Sequence, residues 1–188
     1  MHQGYRWLAV WIFIVAIPAT GLANDMAAPA GIWTETAQQE NILVGNDSNT
    51  QVLIIYDPNC PYSAIHYTRL KKLIPEFSAR WVAVSYYKNN SNARNRAIIE
   101  ADDPAEALDE NFSSYDYEHQ QGAWPIDDQN DVITVNQKEF KARWQSWVGA
   151  TPITLVRSNG GTTRMFFGAI HNEGKEEAFL EFVDNNLK

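Results

Sequence analysis

One residue in this 188-residue chain can act as a sulfur nucleophile, its only cysteine, Cys60. It stands in the tetrapeptide Cys60-Pro61-Tyr62-Ser63, directly after Asp57-Pro58-Asn59. A thiolate attacks a disulfide sulfur and becomes joined to it as a mixed disulfide. A lone cysteine can equally be a small buried hydrophobe, so its surroundings decide between the two. Residues 51–56 (QVLIIY) are a continuous apolar run rich in β-branched side chains, the pattern of a strand buried on both faces. Residues 61–73 follow as an expected helix, with Pro61 at the first helical position, where a missing N–H costs nothing. Cys60 therefore falls where strand hands over to helix. Free N–H groups and the positive end of the helix dipole point there, and both favour a thiolate over a thiol. Ser63, one helical turn on, can donate a hydrogen bond to that thiolate.

The elements that must position this thiol can be outlined along the chain. Residues 24–31 look like a flexible leader, and residues 32–44 hold a short helix or strand. Asn46-Asp47-Ser48-Asn49 signals a turn before the first long strand. The helix over 61–73 is expected to bury Ile65, Leu70, Leu73 and Ile74 and to turn Arg69, Lys71 and Lys72 to solvent. Residues 80–87 alternate as a second strand, giving a βαβ unit with a parallel pair. Residues 89–131 are polar and mostly helical, with Asp103-Pro104-Ala105-Glu106 a good helix start and its acidic residues expected in caps and on a solvated surface. Asn136 opens a further helix whose stripe is Phe140, Trp144, Trp147 and Val148, ended by Gly149. Two short β runs, 153–157 and 162–167, flank Ser158-Asn159-Gly160-Gly161 as an antiparallel hairpin. A last helix is expected from about Lys175 to Asn186, carrying Phe179, Leu180 and Val183.

Asp57-Pro58-Asn59-Cys60-Pro61-Tyr62-Ser63 resembles the active-site segment of the periplasmic disulfide isomerases of the DsbC/DsbG type, which reads DPxCPYC. Residues 92–108 (NARNRAIIEADDPAEAL) are similar to the helical insertion of that family. Gly149-Ala150-Thr151-Pro152-Ile153 looks like its Gly-Thr-cis-Pro segment, and Ser158-Asn159-Gly160 matches the hairpin turn after it. The resemblance covers about residues 50–187. It implies an α/β, thioredoxin-like fold: a mixed central sheet with flanking helices and a helical insertion, about residues 89–131, between the βαβ and ββα halves. It also implies a cis bond between Thr151 and Pro152, lying against Cys60. Thr151 and Pro152, with Pro61 and Tyr62, would then hold the backbone of an extended substrate beside the thiol. Ser63 stands where that family has its second cysteine. Serine cannot resolve a mixed disulfide, so the chain cannot pass on an internal one.

The remaining residues offer little competing chemistry. His66 lies about 9 Å along the helix axis from Cys60, too far for a direct pair, and is expected in packing or at the surface. His119 and His171 fall in loops without an evident partner. No metal-ligand spacing, Ser-His-Asp order, phosphate loop or dinucleotide fingerprint is present, so no metal and no cofactor are expected. Most tryptophans and tyrosines are assigned to the core, while Tyr115 and Tyr117, in a polar stretch, could line a client surface.

Export follows from the N-terminus. Arg6 precedes an apolar run over residues 7–17, then Pro18 and the small residues of Gly21-Leu22-Ala23. This is the order of a secretory signal, cleaved after Ala23, and the run is short of the roughly 20 residues of a membrane anchor. Cleavage leaves fourteen basic against twenty-three acidic side chains, a net charge of −9. That excludes polyanion partners such as nucleic acid and disfavours anionic membrane surfaces. In the oxidising periplasm cysteines usually come in pairs, so a single one points to a reactive thiol or to intermolecular pairing. The organisation expected is a signal peptide (1–23), an N-terminal extension (24–50) and one thioredoxin-like domain (51–188). About 25 residues before Gln51 are too few for a DsbC-type dimerisation domain, so that homodimer is not expected.

Two functions are open on the sequence. One is thiol–disulfide exchange through Cys60 with cysteine-containing exported proteins or a small thiol. The other is a redox-inactive binding module or chaperone in an envelope assembly.

Overall fold

The structure is a computed structural model and describes residues 25–127 and 133–187. The expected signal peptide and residues 128–131 of the insertion lie outside these. The elements run β1 (Asp25–Ala27), α1 (Ile32–Ala37), β2 (Ile42–Val44), β3 (Val52–Tyr56), α2 (Pro61–Leu73), β4 (Ala79–Ala83), α3 (Ser91–Ile99), α4 (Pro104–Ser113), α5 (Val135–Trp147), β5 (Ile153–Arg157), β6 (Thr163–Phe167) and α6 (Glu173–Asn186).

The six strands form one mixed sheet in the order β1-β6-β5-β3-β4-β2. β3 runs parallel to β4 and antiparallel to β5. All five residues of β3 are buried, as its unbroken apolar run requires. The pleat then sorts them: Val52, Ile54 and Tyr56 enter one core with Trp81, Phe112, Phe166 and Phe179. Leu53 and Ile55 enter the other with Trp33, Phe140, Trp144 and Leu155. Helices α2, α4 and α6 cover the first face, and α1 and α5 cover the second. The mixed sheet, the two helical layers and the insertion between β4 and β5 match the expected fold class.

Several local expectations are corrected. The supposed flexible leader begins with β1, which pairs antiparallel with β6. Its residues have little strand preference, and Arg164 Nε on Asp25 Oδ1 at 2.8 Å joins the two strands. Residues 32–44 hold both a helix and a strand. β4 stops at Ala83, so Tyr86 and Tyr87 belong to a loop. α5 begins at Val135, capped by Thr134 in a capping box with Gln137, because a hydroxyl at Thr134 can accept the Gln137 N–H. α6 begins at Glu173 behind the Asn172 cap, and buries Phe179 and Phe182.

Helix α2 has the expected bounds, buries Leu70 and packs Leu73 and Ile74 at the edge of the core as expected, but Ser63, Ala64, His66 and Tyr67 are buried as well, and Ile65 is not. Tyr67 packs on Trp81 and Phe112 at ring distances of 5.1 and 5.3 Å. These large contacts set the phase of the helix and leave Ile65 only half-buried. His66 is fully buried between Trp81 and Phe179. Its Nδ1 accepts the Ile170 N–H at 3.3 Å, so the neutral ring carries its proton on Nε2, toward Thr154 Oγ1 at 3.3 Å. The packing role expected of His66 is the one observed.

Burial pushes the His66 pKa down to about 3. The unfolded chain therefore takes a proton near the ordinary histidine pKa while the folded one does not, and stability falls as pH drops below about 6.5. A His66→Gln variant cannot titrate. Its deficit relative to the natural chain, measured by urea unfolding, should shrink by about 2 kcal/mol between pH 7 and pH 5. A constant deficit would show that His66 is not held neutral by burial.

Candidate functional site

Cys60 caps helix α2 with extended backbone, φ −76° and ψ 122°. Its carbonyl accepts the Ala64 N–H at 3.1 Å, the first bond of the helix, and its own N–H goes back to Asp57 O at 3.1 Å. Asp57 to Cys60 is thus one tight turn between strand and helix. The thiol donates to Thr151 O at 3.7 Å. The Thr151–Pro152 bond is cis. The fold therefore brings together Cys60, Thr151 and Pro152, residues from distant parts of the chain. Pro61 is half-buried, and Tyr62 is 57% exposed beside the thiol. Ser63 is fully buried, and its Oγ accepts the Asp57 N–H at 3.4 Å, which leaves its own proton to be donated.

The residue that organises this turn was not singled out from the sequence. Asp57 is fully buried at the end of the apolar strand. Its Oδ1 accepts the Asn59 N–H at 2.7 Å and the Ser91 hydroxyl at 2.9 Å. Its Oδ2 accepts the N–H groups of Tyr86 at 2.7 Å and Tyr87 at 2.9 Å. Burial pushes the carboxyl above the usual carboxylate range, and these four donors work against that push. A signal was present: a carboxylate that follows five residues of buried strand must find donors or leave the core.

From Asp57 the two tyrosines reach in different directions. The Tyr86 hydroxyl meets Thr151 Oγ1 at 3.1 Å, while the Tyr87 hydroxyl donates to Gln120 Oε1 at 2.5 Å. Burial raises the Tyr86 pKa to about 12, and charge on Cys60 and Asp57 adds to the rise. Tyr86 therefore stays a neutral hydroxyl next to the cis-proline loop. One carboxylate oxygen thereby holds the backbone from which both neighbouring loops are gripped.

Asn59 extends the network to the insertion. Its Nδ2 donates to Asn90 Oδ1 at 3.0 Å and Ser91 Oγ at 3.1 Å. Its Oδ1 accepts the Gly122 N–H at 3.1 Å, and its carbonyl accepts the Tyr115 hydroxyl at 2.5 Å. Asn111 Nδ2 donates to Pro58 O at 3.0 Å. Gly122 has no room for a side chain: a Cβ there would lie 2.1 Å from Asn111 Oδ1.

The polar insertion is thus only partly a solvated surface. Ser91, Asn92, Arg94, Asn95 and Asn111 are buried in it, and Ser91, Asn95 and Asn111 serve as partners for the turn before Cys60 and the strand end. Tyr115, expected on a client surface, is buried, whereas Tyr117 is 54% exposed. His119 has a partner after all, Asp116 Oδ2 at 2.7 Å. Among the described residues no cluster of three or more His, Cys, Asp or Glu side chains is placed to hold a metal.

Replacing Asp57 by Ala leaves three backbone N–H groups and one hydroxyl without their acceptor. It should cost about 3–5 kcal/mol in urea unfolding. Asp57→Asn keeps the shape but turns one amide NH₂ toward donors, and should cost less, about 1–3 kcal/mol. Equal stability of the Ala variant and the natural chain would contradict the role assigned to this carboxylate.

No protein-family model and no curated protein matches the chain. Solved structures do. The Pseudomonas aeruginosa DsbA2 superposes with a TM-score of 0.51 at 19% identity, over 77% of this chain and 93% of that one. A periplasmic thioredoxin-like protein from Salmonella enterica serovar Typhimurium superposes with a TM-score of 0.53 at 14% identity, over 83% and 98%. At such identities the likeness establishes the fold, and the fold is thioredoxin-like.

Proposed function

We propose that this chain is an exported thiol–disulfide exchange protein that works through the single nucleophile Cys60. The observation that carries the reading is the position of the thiol: at the N-terminus of α2, within hydrogen-bond reach of Thr151 O beside a cis Thr151–Pro152 bond. The reaction is an exchange with no net oxidation. The Cys60 thiolate attacks one sulfur of a client disulfide, the Cys60–client S–S bond forms, and the other client sulfur leaves as a thiolate. A second thiolate, from the client or from a small thiol, then attacks the client sulfur and restores the Cys60 thiolate. Attack by the client's own thiol amounts to isomerisation; attack by an external thiol leaves that thiol joined to the client as a mixed disulfide, and a second external thiol then completes the client's reduction by taking the first up as an external disulfide.

Each neighbour has a stated role in this scheme. The N–H groups at the start of α2 stabilise the thiolate, and the Ser63 hydroxyl keeps a proton to offer it. Tyr62 and Pro61 form the exposed lip of the site, and Thr151 and Pro152 present backbone to an extended client. The likeness of residues 57–63 to the DsbC/DsbG segment supports an isomerase-type use of the thiol. The apolar N-terminal run supports a periplasmic location. Among the described residues no helix is long and apolar enough to cross a membrane. Clients are cysteine-containing exported proteins, and no cofactor is required.

One observation favours the rival reading, a redox-inactive binding module: Cys60 is only 2% exposed. Incubation with glutathione disulfide followed by intact-mass measurement separates the two. Exchange predicts one glutathione adduct per chain, reversed by excess glutathione and lost in Cys60→Ala. An unmodified natural chain after prolonged incubation would leave the binding module standing. A Ser63→Cys variant should in addition form an internal disulfide, seen as the loss of two hydrogens and of the adduct.

A further inference from the structure

The loop at residues 115–122 lies beside the thiol and has no part in the exchange described above. Two contacts join it to the turn that carries Cys60, and two more join it to the loop after β4. The Tyr115 hydroxyl donates to Asn59 O, and the Gly122 N–H donates to Asn59 Oδ1. Gln120 accepts from the Tyr87 hydroxyl, and Lys88 Nζ donates to His119 O. The loop is also closed on itself by an antiparallel bridge between Asp116 and Gln121, with N–H···O distances of 2.9 and 3.0 Å.

Asn59 is the hinge of this arrangement. It is fully buried, and its backbone N–H, its carbonyl and both polar atoms of its side chain are engaged at 2.5–3.1 Å. It is the residue immediately before the nucleophile, so any displacement of the loop is passed directly to Cys60. Burial raises the Tyr115 pKa, and the charges of Cys60, Tyr87, Asp57 and Tyr117 add to the rise. That hydroxyl therefore remains a donor to Asn59 O at all physiological pH values.

The loop presents an aromatic face. Tyr117 packs edge-on against Tyr115 at a ring distance of 4.9 Å and is itself 54% exposed. Three aromatic side chains are exposed among the described residues, Tyr62, Tyr117 and Phe167. Tyr62 stands in the first turn of α2, two residues after Cys60, and Tyr117 belongs to this loop, packed on the Tyr115 ring whose hydroxyl reaches Asn59 O. Exposed aromatic rings supported from behind by buried ones are binding surface rather than core.

We propose that the 115–122 loop is a specificity wall for the Cys60 thiol, fixed in register by Asn59. It selects disulfides whose cysteine is flanked by an aromatic or large apolar side chain, which would pack on Tyr117. Asn59 is a positioning residue, since it touches no reacting atom. The inference rests on the exchange reading and names the class of client for it.

The test uses two synthetic peptides, identical except for Phe or Ser next to their one cysteine. Each is presented as a mixed disulfide with a chromogenic aromatic thiol. Attack of the Cys60 thiolate on the peptide sulfur forms the Cys60–peptide disulfide and releases the aromatic thiolate, whose absorbance gives the rate. The natural chain should prefer the Phe peptide by about three- to tenfold, the worth of one aromatic pair. Tyr117→Ser should bring that ratio close to one. Asn59→Ala, which keeps the Tyr117 side chain but frees the loop that carries it, should do the same, a change that simple loss of stability would not produce. If Asn59→Ala does not fold, the Tyr117→Ser ratio decides alone. A ratio near one in the natural chain, or one unchanged in Tyr117→Ser, overturns the wall but leaves exchange intact. Failure of the natural chain to release the aromatic thiolate from either peptide overturns the exchange reading, and the wall with it.

Discussion

A carboxylate taken out of water costs several kcal/mol unless donors replace its hydration. Asp57 meets that demand with four hydrogen bonds from three separate segments, at Asn59, at Tyr86 and Tyr87, and at Ser91. The rest of the site depends on this constraint. Because the acceptor is buried and its donors are mostly backbone, the turn before Cys60, the loop after β4 and the start of α3 cannot move independently. Removing solvent from the carboxylate makes each of those bonds stronger than it would be at the surface.

The same constraint explains why a polar insertion folds into a largely apolar domain. Four of the five residues 91–95 of α3 are polar, yet all five are buried. Two of them satisfy polar groups of the turn and the strand end: Ser91 meets Asp57 and Asn59, and Asn95 Oδ1 accepts the Tyr56 hydroxyl at 3.3 Å. Asn111 bridges in the same way from α4, accepting the Trp124 N–H at 3.2 Å while donating to Pro58 O. The thiol thus sits on a rigid polar layer, with hydrophobic cores on both faces of the sheet behind it. The exchange proposed for Cys60 would gain from such preorganisation, because little rearrangement is left for the moment of attack.

Much of the fold was legible in the sequence, and the reasons are local. The apolar run ending at Tyr56, the Pro at the first position of α2, the Asp103 cap and the hairpin turn after Arg157 each depend on neighbours in the chain. Their elements appear where expected. What failed locally is equally instructive. β1 has no strand-forming side chains and exists because β6 offers an edge and Arg164 a partner for Asp25. Periodicity points Ile65 into the core, whereas Tyr67 and His66, with larger partners in Trp81 and Phe179, set the phase of α2. Tyr115 was placed at the surface because its sequence neighbours are polar, although its hydroxyl has a buried acceptor at Asn59.

By itself the sequence determined that one cysteine stands at a strand-to-helix hand-over, that a serine follows it three residues on, and that a Thr-Pro pair precedes a hairpin. Those are matters of residue type and short-range spacing. Only the tertiary structure decided that Thr151 O comes within 3.7 Å of the thiol, that Asp57 gathers its four donors, and that Asn59 joins the turn to the 115–122 loop. Each of those contacts involves segments brought together by sheet order and helix packing. No local pattern encodes them, because a buried polar group selects its partner by position in space and not by distance along the chain.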